Sequence, residues 1–559
     1  FVNIQHTDKS LVAKNKANRF CKFFTDIGSN LKNKFCLFGS LTWRKSFSSV
    51  SRTNKVFNFS YVPISKVQKE LSNLKRGKSP GVDMLPSSLL KDGAKEISKP
   101  LTHMINRSLS ECAIPIEWKH AKITPIHKSG TLDNPDNYRP ISVLPVLSKI
   151  LEKCVQEQLV GYLENNKLLS NIQFGYRKKR STELAVNLFL DDVRKGIDKG
   201  NMVGALFVDL SKAFDTIGHG RLLDKLPMYG IKDKELEWFE NYLFNRSQHV
   251  VYEKEISNVM NLKCGVPQGS ILGPILFMLF FNDLVDHLEK VKVLKFADDT
   301  VMYFSDKDFF NIESTLNSDI HNLYRYLYDN ELIINLKPNK TEVMLLGTAK
   351  RICKHPELNL NYNGIPINNT MQYKYIGTIV DPNLNLNDNF NSIYKKASTR
   401  LKILNNIRPL LTPNVAKQIY TSMILPLITY HCTAKLNFTN TQIKKLSYID
   451  GRATNIDNSN SNSSESLPKA LKEIYRHSIL LTRKCMDKNI CSNFEDYFKL
   501  RETVYATRNC GFMLELPKCK LEVAKSGFYF MGAKLYNELP LEYRKENNFG
   551  LFKKLLSMQ

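Results

Sequence analysis

Two periodicities alternate along this chain. Short apolar runs at Ala205 to Leu210, Val293 to Phe296 and Val301 to Phe304 predict strands. Apolar positions recurring at three and four over Ile141 to Leu163, with similar stretches over Ser270 to Asp286 and Phe309 to Leu327, predict helices. Pro80-Gly81, Pro86 and Pro140 punctuate the region before residue 200. Further on, Ile393, Ala397, Leu401, Leu404 and Ile407 make one helical face, with Lys395 and Lys402 opposite. The stretch Asn455 to Ser466 is Asn/Ser-rich, nearly without apolar residues, and reads as a flexible linker. The segment 467–559 beyond it reads as helical and basic, and no internal repeat is visible.

Composition sharpens this. A chain of 559 residues with 42% hydrophobic content is long enough for three or four domains with large cores. The 80 basic against 54 acidic residues give a formal charge of +26, which predicts a partner carrying many phosphates. A membrane partner is not expected, because the longest apolar run, Ile271 to Phe281, is too short to span a bilayer. From Asn389 to Ile449 there are nine Lys/Arg and no Asp or Glu, so this stretch is expected to face phosphate. Eleven cysteines without a Cys-x-x-Cys pair, and no histidine at zinc spacing, read as reduced thiols of an intracellular protein. No signal or transit peptide is visible, and the expected location is nucleus and cytoplasm.

The candidate chemistry lies where the strand signals end. Asp298 and Asp299 fall between two apolar stretches, and Asp209 ends a third. Carboxylates clustered on such edges can hold two cations about 3.5–4 Å apart, flanking the attacking and leaving oxygens of an in-line displacement. The chain therefore reads first as a nucleotidyl-transferring enzyme.

The order of the neighbouring motifs extends this. Asp209-Leu210-Ser211-Lys212-Ala213-Phe214-Asp215 is followed by Gly265-Val266-Pro267-Gln268-Gly269-Ser270, then Ala297-Asp298-Asp299, then Leu336-Lys337-Pro338-Asn339-Lys340-Thr341. This set resembles a reverse transcriptase palm. Gly77 to Asp83, Ile123 to Gly130, Asn137-Tyr138-Arg139-Pro140-Ile141-Ser142 and Gln173-Phe174-Gly175-Tyr176-Arg177 resemble segments of the non-LTR retrotransposon branch, jockey-like elements in particular. Gly532 to Pro540 resembles the tail of those reading frames, with Tyr536 where the family usually has Trp.

The resemblance implies an α+β, right-hand polymerase fold with an antiparallel-sheet palm and a mainly helical C-terminal segment. It divides the chain into a linker at 1–60, fingers at 61–200, palm at 201–380, thumb at 381–454, the linker at 455–466 and the C-terminal segment. It implies an RNA template, a DNA primer or target, dNTPs, and two Mg²⁺ ions, with Mn²⁺ as a possible substitute, on Asp209, Asp298 and Asp299. Phe214 would exclude a 2′-hydroxyl, and Gln268 would contact the nascent pair beside Gly269, whose glycine lets backbone approach a nucleotide. Arg139 and Lys128 would meet the triphosphate. Lys340 matches a lysine that protonates pyrophosphate, and equally fits a plain surface lysine. Tyr375 and Gly377 resemble a primer-grip turn, although the tyrosines around it could equally be packing residues. Arg177, Lys178, Lys179 and Arg180 would meet template backbone, or serve as a nuclear-localisation patch. Asp215 reads as a cap or hydrogen bond at a strand end.

Elements of this type usually carry an endonuclease ahead of the polymerase. Ala17-Asn18-Arg19-Phe20 to Phe23-Phe24 resembles the helical linker after it, so a missing endonuclease is expected upstream. The rivals are a viral RNA-dependent RNA polymerase, which normally has Gly before Asp-Asp, an intron maturase, and a decayed remnant that binds RNA without catalysis.

Overall fold

The computed structural model describes residues 2–36, 52–454, 467–501 and 512–557, so the expected Asn455–Ser466 linker lies outside the described residues. Contacts divide the chain into two compact units. One comprises Phe1–Ser170, Leu210–Leu288 and Asn322–Asn335; the other comprises Asn171–Asp209, Glu289–His321 and Leu336–Gln559.

The first unit is built on a small mixed sheet. His120–His127 pairs antiparallel with Tyr138–Val143 and parallel with Ser247–Tyr252. The helix Val2–Cys36 covers it, burying Phe20, Cys21, Phe24 and Ile27 against Ala121, Ile123, Tyr138, Leu144 and Val250. Residues of the expected 1–60 linker thus supply part of a core. The helix expected from Ile141 begins later, at Val146, and runs to Asn165. Exposure alternates along Tyr138–Val143 as in a half-buried strand, and Pro145 sits at the helix N-cap, where its fixed φ and missing N–H cost nothing. The helix expected over Ser270–Asp286 is α-helical only over Gly273–Phe280 and then tightens to 3₁₀ over Asn282–His287. Seven of the eight α-helical residues are buried, and the end is held by Lys225, whose Nζ donates to Phe280 O at 2.8 Å and to Asp283 at 2.8 Å.

The second unit holds a five-stranded sheet, in the order Asn368–Asn369, Glu342–Leu346, Met202–Val208, Asp299–Asp306, Lys292–Phe296. Met202–Val208 is the central strand, antiparallel to both neighbours, and all seven of its residues are buried. The helix Thr182–Asp198, capped by Ser181 Oγ accepting from Leu184 N, packs behind it through Phe189, whose ring meets Phe207 and Tyr303 edge-on. One apolar core runs from this sheet through the helix Asn387–Ile407 to the C-terminal helices Lys469–Met486 and Phe528–Asn537. Ala397, Leu401 and Leu404 point into it as expected, but Ile407 is 39% exposed, because the helix gives way to a 3₁₀ turn at Arg408.

A buried ionic group ties the C-terminal segment to Thr182–Asp198. Asp191 and Arg194 are 3.3 Å apart with fully buried side chains. Asp191 also accepts from Tyr497 OH at 2.8 Å and Tyr529 N at 3.1 Å, and Arg194 donates to Ala434 O at 2.7 Å. Removing one partner of such a group strands the other charge away from water. Asp191→Ala is expected to destabilise the chain by about 3–5 kcal/mol in urea unfolding. A loss below about 1 kcal/mol would show that the group does not hold the segment in place.

Candidate active site

Strand register brings the three aspartates to one sheet edge, without their carboxylate oxygens all coming within 4.8 Å of one another. Val208 pairs with Thr300, so the next position on each strand sets Asp209 beside Asp299. Phe296 pairs with Asp299, which leaves Ala297 and Asp298 as a two-residue hairpin turn. On the other flank Phe207 pairs with Glu342, carrying Lys340 to the same edge, where its Nζ lies 3.2 Å from Asp209 Oδ1. Asp209 N donates to Thr341 Oγ1 at 3.1 Å. Tyr373 stacks on Phe207 at 4.1 Å and donates to Lys340 O at 2.7 Å. Burial, then the charges of Asp209 and Asp299, hold the Tyr373 hydroxyl well above its ordinary pKa, so it remains a donor. Asp209 and Asp298 are half-buried and Asp299 is exposed. The donor set is all carboxylate oxygen, which fits a hard divalent cation.

The turn is strained, and a residue that the sequence reading left without a role restrains it. Ala297 has φ of +58°, a region in which a residue with a Cβ costs about 1–3 kcal/mol. Gln173, 1% exposed, accepts from Ala297 N at 3.0 Å and from Gly175 N at 2.9 Å through the same Oε1. The flanking backbone is locked too, with Phe174 N donating to Lys295 O at 2.7 Å and Lys295 N to Ile172 O at 2.9 Å. Gln173 stood in a quoted motif, but nothing local in the sequence says that it clamps a turn 124 residues away. Tyr176 from the same motif is raised in pKa, by burial and then by Asp298.

The other unit gathers its own set. Val266 N donates to Phe214 O at 2.9 Å and Gly265 N to Ile217 O at 2.8 Å, while Ser142 N donates to Gln268 O at 2.8 Å. Gly265–Ser270 is therefore a strap between the Phe214 turn and the Tyr138–Val143 strand. A Cβ on Gly265 would lie 2.8 Å from Asp215 O, and one on Gly269 2.5 Å from Ser142 O. These glycines admit neighbouring backbone, which a side chain at either position would displace. Phe214 is half-buried and stacks on Phe277 at 4.6 Å. Arg139 and Lys128 are exposed, Arg139 opposite Ile126 across the strand pair.

The outlying residues divide. Tyr375 is 2% exposed and packs on Phe189 and Phe207, so it belongs to the core and is not available to nucleic acid. Alternation along the hairpin points Lys374 outward instead. Ile376 and Gly377, with φ of +46° and +96°, form the tight turn of the hairpin between Tyr373–Tyr375 and Thr378–Val380. Arg180 is committed to protein, donating to Asn171 O at 2.6 Å and lying over Phe174, whereas Lys178 and Lys179 are exposed and Arg177 is half-buried. In the acid-free stretch Lys395 and Lys402 are exposed. Arg400, Lys435 and Lys445 instead hydrogen-bond to Met423 O, Asn385 O and Asn391 Oδ1, so that stretch is not uniformly phosphate-facing.

Among the described residues only Glu183, Cys432 and His477 bring three ligand-type atoms within 4.8 Å. Glu183 and His477 already form an ion pair of 2.9 Å, and burial raises the Cys432 thiol well above its ordinary pKa, so this is a structural cluster.

The Gln173 clamp is testable by itself. Gln173→Met keeps the volume and removes the acceptor, leaving two N–H groups unpaired at a cost of about 1–3 kcal/mol. Unfolding free energy should fall by that amount and hydrogen exchange at Ala297 N should accelerate, whereas unchanged exchange at Ala297 would show that the turn holds without Gln173.

Residues 126–380 match the family described as reverse transcriptase (RNA-dependent DNA polymerase). The probable RNA-directed DNA polymerase from transposon BS of Drosophila melanogaster is 26% identical over 411 residues, covering 68% of this chain and 43% of that protein. The RNA-directed DNA polymerase from mobile element jockey of the same fly is 26% identical over 382 residues, covering 66% and 41%. The chain thus spans less than half the length of these two relatives. A solved apo telomerase from Candida tropicalis has a TM-score of 0.34 at 13% identity, covering 51% of this chain and 59% of that one. The matched region contains both strand pairs that bear the aspartates, and over residues 126–380 the chain is similar to the reverse transcriptase family and to RNA-directed DNA polymerases of transposon BS and mobile element jockey.

Proposed function

We propose that this chain is an RNA-directed DNA polymerase of a non-LTR retrotransposon, adding dNTPs to a primer 3′-hydroxyl on an RNA template. The observation that carries this reading is the register placing Asp209 beside Asp299 and one residue from the Asp298 turn, within the region of the family match. Reverse transcriptases generally use divalent metal ions. Here Asp209, Asp298 and Asp299 would hold two Mg²⁺, with Mn²⁺ able to replace them. When bound, such ions neutralise the triphosphate and activate the primer hydroxyl.

The chain's own groups do the rest. Lys340, paired with Asp209, stands at the same sheet edge as the carboxylates, positioned to give a proton to the departing pyrophosphate. Phe214 is braced from behind by Phe277, so its ring cannot yield to a 2′-hydroxyl. Exposed Arg139 and Lys128 offer donors to triphosphate oxygens, and exposed Lys178, Lys179, Lys395 and Lys402 offer charge to template and primer phosphates. The reading assigns fingers, palm and thumb to 61–200, 201–380 and 381–454.

The test is primer extension by the purified chain on an RNA template, with dNTPs and with NTPs. Extension with dNTPs, abolished by Asp298→Asn while template–primer affinity stays within about threefold, is expected, because affinity comes from phosphate contacts and turnover from the ions. Preference for NTPs would favour an RNA polymerase, and substantial extension by Asp298→Asn would remove the carboxylate assignment.

A further inference from the structure

Asp215 lies in the short helical turn Ala213–Thr216, facing the strap that carries Gln268. Both of its carboxylate oxygens accept from Gln268 Nε2, at 2.9 and 2.7 Å. A carboxylate has no proton to give, so the amide must present its NH₂ to Asp215 and turn its Oε1 the other way. The backbone on both sides is already fixed, by Gly265 N to Ile217 O, Val266 N to Phe214 O and Ser142 N to Gln268 O. What remains free is the three-torsion side chain of a half-buried glutamine. The pair of bonds to Asp215 removes that freedom.

We propose that Asp215 is a positioning residue which locks the Gln268 amide with its carbonyl oxygen outward, so that the strap offers the incoming nucleotide a hydrogen-bond acceptor and selects a donor on it. This rests on the polymerase reading for the identity of the nucleotide, not for the Asp215–Gln268 pair itself. Phe214, immediately before Asp215, and Gln268 are thereby held as one unit.

The charge on Asp215 decides the direction of the lock. Lys212, from the same segment, is the charged group that acts on it, and Lys212 itself pairs with Asp136 at 3.3 Å. The facing strap contributes the Cys264 thiol, directed at Asp215 O, and His219 closes the far side by bonding Gly265 O at 2.8 Å. The neighbouring strand carries Tyr138 and the exposed Arg139. Burial pushes the Asp215 carboxyl up to about 6, against the opposing pull of Gln268 and Lys212. Above that pH the carboxylate admits one amide orientation. Below it the carboxyl can also donate to Oε1, the flipped amide becomes equally satisfied, and the outward acceptor is no longer enforced.

The experiment is steady-state primer extension with Asp215→Ala, Asp215→Asn, Gln268→Ala and the Asp215→Ala/Gln268→Ala double variant. Asp215→Ala should raise KM for dNTP about tenfold with kcat within about twofold, and the double variant should be no worse than Gln268→Ala. In the wild type KM should climb as pH falls through about 6, over and above the change in Asp215→Asn, which shares the triphosphate's own titration but has no carboxyl to protonate. Additive losses in the double variant, or a wild-type pH profile equal to that of Asp215→Asn, would overturn the proposal. The same cycle read in urea unfolding needs no turnover. A wild-type chain that does not extend primers would sink the polymerase reading, and the unfolding cycle would still decide the pair, non-additivity supporting it and additivity overturning it.

Discussion

The arrangement depends on the register of one buried strand. Met202–Val208 lies between Asp299–Asp306 and Glu342–Leu346, and the same register that buries its side chains carries Asp209 to the sheet edge beside Asp299 on one flank and Lys340 on the other. Side chains on a strand alternate faces, so a one-residue slip would exchange the faces of the whole apolar set. The core that stabilises the sheet therefore also aligns the chemistry. At the adjacent hairpin the fold accepts a left-handed Ala297, with the buried Gln173 carbonyl holding it.

The other unit follows the same rule with different parts. A strap bracketed by backbone hydrogen bonds leaves one residue of consequence, Gln268, and a carboxylate behind it sets which face of its amide looks out. In both units a polar side chain distant in sequence fixes the geometry of a residue that the motifs mark. The C-terminal segment is likewise joined to the sheet's supporting helix through Asp191, Arg194, Tyr497 and Tyr529.

Much of this was legible in the sequence. Strand runs ending in aspartate and the order of the four motifs led directly to the sheet edge, because those signals are local and the chemistry needs those residue types. What was not legible depended on pairing between distant segments. Gln173 could not be read as a clamp without the bridge between residues 173 and 295. Tyr375 matched a motif, but which face of its hairpin is buried is set by Phe189 and Phe207, not by its neighbours in sequence. Ile141–Val143 is strand where the periodicity predicts helix, because three residues beside a periodic run carry too little pattern to outweigh it, and Pro145 marks the boundary only once the pairing to His120–His127 is known.

The central claim is that Asp209 and Asp298 are brought together to bind divalent cations. Its most direct test is a Mn²⁺ titration followed by electron paramagnetic resonance, on the chain with an RNA template, a chain-terminated primer and a dNTP, so that nothing turns over. The account predicts that Asp209→Asn and Asp298→Asn each weaken Mn²⁺ binding by about tenfold or more relative to the wild type. Mn²⁺ affinity equal to the wild type in both variants would contradict it.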